Sequence, residues 1–384
     1  MRASILCVAG TRPEAIKVAP VVLALRRHDS LAPILVATGQ HRELLAQTFA
    51  AFGIAPDIDL DLMRDGQAPV DLLAAALPPL AGIFANLQPA AVLVQGDTMT
   101  ALAAAQAAAL TRTPLVHIEA GLRTGVRAAP FPEELNRRLI AQLADLHFAP
   151  TSGARDALLL EGVAADTIAV TGNTGIDALR FVEARFAAEP GLRAAVLAAL
   201  PRLDPGRPLV LVTAHRRENH GAPLASIAEA VARLAADGVE LVLPLHPHPA
   251  VCGPLRARLA AVAGVHLVPP LGYAAFVALL SRAAAVLTDS GGVQEEAPAL
   301  GVPVLVTRDV TERGEGLVSG NARLVGTTTD RIVASVHAVL AAAPGYARMA
   351  EPALPYGDGE AAPRIVAALA RAYASAPARA ELVH

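Results

Sequence analysis

Along nearly the whole chain, short apolar runs alternate with longer amphipathic segments rich in alanine and leucine. No other feature restricts the fold so much. The runs predict strands over Ser4–Val8, Ile34–Thr38, Ala91–Gln95, Pro114–Ile118, His147–Ala149 and Thr167–Val170. A second series follows over Pro208–Thr213, Glu240–Pro244, Val265–Val268, Ala283–Leu287 and Val304–Val306. Helical periodicity fills nearly every interval. Apolar strands separated by helices build parallel sheets covered on both faces. The expected class is α/β, with two doubly wound domains and a ligand cleft between them, because such folds bind at the carboxyl ends of their strands.

A chain of 384 residues favours two domains over one core. The stretch ALPRLDPGRP (199–208) carries three prolines and a glycine between the two series and marks a junction. The last helix follows PALPYGDGE (352–360) and is expected to cross back to the first domain. The first domain is thus expected to hold 1–170 with a C-terminal helix at about 361–384, and the second 171–360.

Composition removes several classes of function. A formal charge of −3 gives no broad basic surface for nucleic acid, and 3% aromatic content without tryptophan gives no stacking platform. No apolar stretch of about 18 residues lacks a charge or a proline, so no membrane span is expected. The N-terminal MRASILCVAG is too short for a signal-peptide core, and Cys7 and Cys252 read as free thiols of a cytoplasmic protein. His246 and His248 stand too close for a zinc site and lack a second Cys/His cluster, so no metal is expected. A Gly-x-Gly-x-x-Gly fingerprint is absent, and no cofactor is expected.

Polar residues cluster just past the predicted strands. GTRPEAIK (10–17) places Arg12 and Lys17, GDT places Asp97, and EAGLRT places Glu119. FPEELNRR (131–138) opens a helix with Glu133 and Arg137 one turn apart. In the second half VTAHRREN supplies His215 and Arg216, LPLHPHP supplies His246, LTDSGG supplies Ser290, and LVTRDVTER supplies Arg308, Glu312 and Arg313. Taken singly, Glu133 and Glu134 suit a helix's first turn and Asp97 suits a helix N-cap. Their joint placement at the strand ends is what points to a site.

TDSGGVQEEAP (288–298) adds a nucleotide clamp. A strand entering a helix through Ser290, Gly291 and Gly292 points backbone N–H groups at an anion, and Glu296, four residues past Gly292, can accept from two ribose hydroxyls. A helix terminus contributes only about 0.3–1 kcal/mol towards an anion, up to about 2 when partly buried. A diphosphate therefore needs cations, and Arg12 and Arg313 are the candidates.

With GTRPEAIK, GDT, HIEAGLRT, PEELNRR, TGNTGID, TAHRREN and TDSGGVQEEAP in this order, the chain resembles the non-hydrolysing UDP-N-acetylglucosamine 2-epimerases over about residues 8 to 326. The resemblance implies two Rossmann-like domains in the GT-B arrangement and a homodimer. It implies that Asp97, Glu119, Glu133 and His215 are catalytic. It further implies nucleotide binding by Arg12, Ser290, Gly291, Gly292, Glu296 and Arg313, with Phe276 near the uracil. RPEAIK after Gly-Thr-Arg favours the non-hydrolysing branch. Some positions depart from the family pattern: TERGE with Gly314 stands for TERPE, HPHP replaces an asparagine with His248, and Gly66 precedes Gln67. Allosteric members carry Gln-His-Arg-Gln, where this chain has Gln40, His41 and then Glu43, so activation by substrate is not carried over.

The hydrogen on carbon 2 of the sugar is not alpha to a carbonyl. The economical route is loss of UDP to a 2-acetamidoglucal, proton return on the other face, and re-addition of UDP. Acid–base catalysis supplies roughly 10²–10⁴-fold and each charge-stabilising donor on the order of 10²–10³. Carboxylates beside the sugar and cations beside the diphosphate are therefore both needed. The competing readings are a hydrolysing epimerase, an epimerase of a related UDP-sugar, a GT-B glycosyltransferase and a non-catalytic sugar-nucleotide sensor.

Overall fold

In the computed structural model, residues 2–39, 42–62, 64 and 67–374 are described, with 42–44 described in backbone only. Gln40, His41 and Gly66 lie outside these residues, as does the side chain of Glu43. In chain order the elements begin β1 (Ala3–Ala9), α1 (Arg12–Arg26), β2 (Leu31–Ala37), α2 (Arg42–Ala51), β3 (Ile58–Asp59), α3 (Pro69–Leu87) and β4 (Ala91–Gln95). They continue with α4 (Met99–Leu110), β5 (Leu115–Ile118), α5 (Glu133–Leu143), β6 (Leu146–Ala149), α6 (Ser152–Leu160), β7 (Ile168–Val170), α7 (Thr174–Ala188) and α8 (Leu192–Ala198). Next come β8 (Leu209–Thr213), α9 (Ala222–Ala236), β9 (Glu240–Pro244), α10 (Pro249–Leu259), β10 (Val265–Val268), α11 (Tyr273–Leu280) and β11 (Ala285–Thr288). The chain closes with α12 (Gly291–Ala299), β12 (Val304–Val306), α13 (Gly314–Val318), β13 (Ala322–Leu324), α14 (Thr329–Leu340) and α15 (Ala361–Tyr373).

Two parallel sheets result. The first runs β3-β2-β1-β4-β5-β6-β7 and the second β10-β9-β8-β11-β12-β13. All eleven strands read from the sequence are present. The edge strands β3 and β13, two and three residues long, were not foreseen because so short a run carries no period. β2 starts at Leu31, three residues before its predicted start, and includes Pro33. The proline fits because β3 pairs only Val36 and Ala37, leaving the outer side of Pro33 without a ladder partner to satisfy.

The chain divides into two compact units: one runs to Phe181 and resumes from Tyr356, the other spans Val182–Pro355. The division falls inside α7, and 199–208 lies within the second unit. Leu200 and Leu203 of that stretch pack on the core of the second sheet, so its prolines shape a surface turn of that unit. α15 belongs to the first unit. Asp177 on α7 accepts hydrogen bonds from Ala361 N and Ala362 N (3.2 and 2.7 Å), fixing its first turn. Gly357 permits the return: a Cβ there would lie 2.9 Å from the Gly172 Cα.

The cores explain the alanine content. α4 buries Ala101, Ala103, Ala104, Ala105, Ala107 and Ala108 between α3, α5 and the sheet, where larger side chains would hold the helices apart. α3, with mean hydropathy 1.6, is long and apolar enough to cross a membrane by length and composition. It carries Asp71, Pro78 and Pro79 and turns Leu72, Ala76, Leu80 and Phe84, at four-residue spacing, onto the core of the first unit.

Candidate active site

In each sheet the strand order reverses beside the first-formed strand, at β1/β4 and at β8/β11. Connections leave such a pair in opposite directions and open a crevice at the carboxyl ends. Arg12, Asp97, Glu119, His215 and Ser290, singled out from the sequence, follow these strands or the strand next to them.

In the first unit α1 starts behind a capping box, Thr11 with Glu14. The Glu14 carboxylate also accepts from Gly10 N (2.9 Å), Thr11 N (2.7 Å) and the Thr98 hydroxyl (2.6 Å), tying the turn that carries Arg12 to the turn that carries Asp97. Burial raises the Glu14 pKa, and these hydrogen bonds pull against that rise. Thr98, not Asp97, is the N-cap of α4. Asp97 instead pairs with the guanidinium of Arg137, while Asn136 holds its carbonyl at 2.8 Å. Arg137 is aimed in turn by Glu134 (3.1 Å), a fully buried carboxylate that also receives Thr124 N. Glu133, the residue expected in the site, sits half-buried at the first position of α5, one turn before Arg137.

Glu119 follows β5 on the strand next to Asp97, with Gly96 N bonded to the Ile118 carbonyl at 3.0 Å. Its φ is +63°, a left-handed conformation costing on the order of 1–3 kcal/mol for a side chain of this kind. Its Oε2 receives the Lys17 ammonium, Gln95 Nε2 (2.9 Å) and Asn173 Nδ2 (3.2 Å). Lys17 therefore reaches Glu119 from α1, and both are buried. His117 lies beneath, with Nε2 2.7 Å from the Gly96 carbonyl. Burial pushes its pKa down to about 3, so the ring is neutral and donates to that carbonyl.

In the second unit β8 delivers His215 and β11 delivers Ser290. The fully buried Asp289 accepts from His215 N (2.8 Å), Arg216 N (2.9 Å) and Asn219 Nδ2 (3.0 Å). The His215 ring stacks on His246, centroids 5.7 Å apart and 16° from parallel. His248 caps α10 by accepting from Ala250 N (3.2 Å), a structural duty that explains its place in HPHP.

Ser290 is the N-cap of α12. Its two glycines have different reasons. A Cβ on Gly291 would lie 2.3 Å from Arg313 Cζ, so Gly291 yields to the guanidinium, whereas a Cβ on Gly292 would meet nothing within 4 Å. The paired glutamates also part ways. Glu295 takes Arg313 (2.9 Å), and Glu296 accepts from the Tyr273 hydroxyl (3.0 Å). Glu312 binds both Arg313 and Arg308, and Arg308 reaches Glu218 at 2.6 Å. Buried carboxylates thus compensate the charge of Arg313 within the protein, a feature the sequence did not disclose. Phe276, one turn beyond Tyr273 on α11, is half-buried against the core of the second sheet.

Sequence reasoning passed over Glu14, Gln95, Asn173, Tyr273 and Asp289, and weighed Glu134 only as a first-turn acid. Glu14 and Asn173 stand inside quoted motifs, and Asp289 directly precedes Ser290; only three-dimensional contact reveals what they hold.

The family model described as UDP-N-acetylglucosamine 2-epimerase matches residues 23–370. The chain is 45% identical over 367 residues to the UDP-N-acetylglucosamine 2-epimerase of Escherichia coli K12, covering 95% of this chain and 98% of that one. It is similar to the crystal structure of the Neisseria meningitidis UDP-GlcNAc 2-epimerase bound to UDP-GlcNAc, with TM-score 0.93 and 41% identity over 96% of this chain and 100% of that one. An S. aureus protein solved with UDP aligns at TM-score 0.88 and 39% identity, with 96% of each chain covered. On the extent of these matches, the chain belongs to the UDP-N-acetylglucosamine 2-epimerase family.

Proposed function

We propose that this protein interconverts UDP-N-acetylglucosamine and UDP-N-acetylmannosamine without releasing the free sugar. The observation that carries the reading is the two ion pairs at adjacent strand ends, the half-buried Asp97 with the buried Arg137 and the buried Glu119 with Lys17. Two carboxylates held beside cations at one crevice supply proton acceptors and donors at fixed positions. The Neisseria relative with UDP-GlcNAc bound supports the substrate class.

In the forward step the bond from carbon 1 to the β-phosphate oxygen breaks, and its electron pair leaves with UDP. Oxocarbenium character at carbon 1 acidifies the hydrogen on carbon 2. A carboxylate among Asp97, Glu119 and Glu133 takes that proton, and the carbon–hydrogen pair becomes the double bond of the 2-acetamidoglucal. Return of a proton on the opposite face and re-addition of UDP gives the manno product. The mouth of α12, with Ser290 and Gly292, receives the diphosphate with Arg313 beside it, Arg12 is the second candidate cation, Glu296 receives the ribose, and His215 serves the sugar or the bridging oxygen.

The test is turnover of UDP-GlcNAc in deuterated water followed by proton NMR. The reading expects deuterium at carbon 2 with the sugar still joined to UDP. Unlabelled UDP-sugar product would exclude proton exchange at that carbon. Free N-acetylmannosamine as the main product would identify a hydrolysing enzyme, and transfer to an added acceptor without donor epimerisation would identify a glycosyltransferase.

A further inference from the structure

We infer that Asp289 is a positioning residue for His215, fixing the proton on Nδ1 so that Nε2 is the ring atom that exchanges a proton with the substrate; this rests on the epimerase reading. Asp289 closes β11 and is fully buried. Its Oδ2 accepts from the backbone of His215 and Arg216 and from Asn219 Nδ2, so the carboxylate cannot turn away from the β8 loop. Its Oδ1 is buried and accepts no well-aligned hydrogen bond among the described residues. It lies 3.2 Å from His215 Nδ1. A buried carboxylate oxygen left unpaired is costly, and a small rotation of the imidazole aligns Nδ1–H with it.

Neighbouring groups brace both partners of this contact. His246 covers one face of His215. Asn219, which donates to Asp289, also donates to the Thr307 carbonyl at 3.2 Å, so the carboxylate is braced from the β12 side as well. With Nδ1 committed to Asp289, Nε2 is directed to the opposite edge of the ring. An imidazole held this way can take a proton at Nε2 and be stabilised as imidazolium by the buried charge, as in other carboxylate-oriented histidines. Asp289 touches no reacting atom in this account and acts through His215.

The deciding measurement is long-range proton–nitrogen correlation NMR on the full chain labelled with nitrogen-15 histidine, at pH 8. His215 is assigned by comparison with His215→Gln. A protonated Nδ1 on His215 is expected, although free histidine prefers the proton on Nε2. A bare Nδ1 would overturn the inference, and this holds whether or not any Asp289 variant folds. In kinetics, Asp289→Asn is expected to lower kcat at least about tenfold while the UDP dissociation constant stays within about threefold. The same change in a His215→Ala background should then have no further effect on kcat. Additive losses would assign Asp289 a merely structural role. If the wild type does not epimerise UDP-GlcNAc, the functional reading falls by itself; if it does and Nδ1 is bare, only the role of Asp289 falls.

Discussion

Glu119 concentrates the energetics of the first unit in one residue. Its left-handed backbone and the donors Lys17, Gln95 and Asn173 fix a carboxylate where the chain would not otherwise place one. Lys17 is the cation that keeps this charge compensated under burial. Lys17→Met is expected to destabilise the protein by about 3–5 kcal/mol, because it removes the buried ammonium paired with the buried Glu119 carboxylate. Adding Glu119→Gln should recover much of that loss. Urea denaturation of the two single variants and the double variant measures the coupling, and additive losses would contradict it. Gly291 makes a second test. Gly291→Ala displaces the Arg313 guanidinium and is expected to weaken UDP binding at least about tenfold, or about 1.4 kcal/mol, by calorimetry. Gly292→Ala meets no protein atom within 4 Å and should leave the thermal midpoint near the wild-type value.

The elements matter chiefly through how their ends are tied. Glu14 links the turns after β1 and β4, Asp289 links those after β8 and β11, and Asp177 links α7 to the start of α15. Burial pushes the Asp177 carboxyl up from 3.8 to about 6, against the hydrogen bonds from Ala362 and Ala361. A carboxyl raised in the folded state binds protons that the unfolded chain releases. Its contribution is therefore full below about pH 4 and is lost as pH rises through about 6, on the order of 3 kcal/mol. Asp177→Asn should remove this slope. The difference in melting temperature between wild type and variant, followed from pH 4 to 7, checks it, and parallel curves would refute it. The strands were legible as apolar runs, and Arg12, Asp97, Glu119, His215 and Ser290 stood out because each stands within three residues of a strand's end, where parallel topology opens a crevice. Their partners were not legible. Asn173 stands 54 positions from Glu119, and Asp289 stands 74 from His215, distances over which neither spacing nor propensity carries information. The ribose and diphosphate reading of TDSGGVQEEAP put both glycines at the service of the ligand, whereas Gly291 answers to Arg313.

Under the proposed function, removal of the carbon-2 proton falls to carboxylates of the first unit, and most of the nucleotide contacts fall to the second. Asp97→Asn and Glu119→Gln are then expected to leave UDP affinity within about threefold while lowering kcat at least on the order of 10³-fold. Calorimetry with UDP alongside steady-state kinetics checks the separation, and equal losses in both would contradict it. The central claim is that the sugar leaves UDP and comes back. Positional isotope exchange tests it most directly, using UDP-GlcNAc with oxygen-18 in the bridge between carbon 1 and the β-phosphorus. The account predicts that the label scrambles into the non-bridging β-phosphate positions of recovered substrate during turnover; epimerisation with the label retained in the bridge would contradict it.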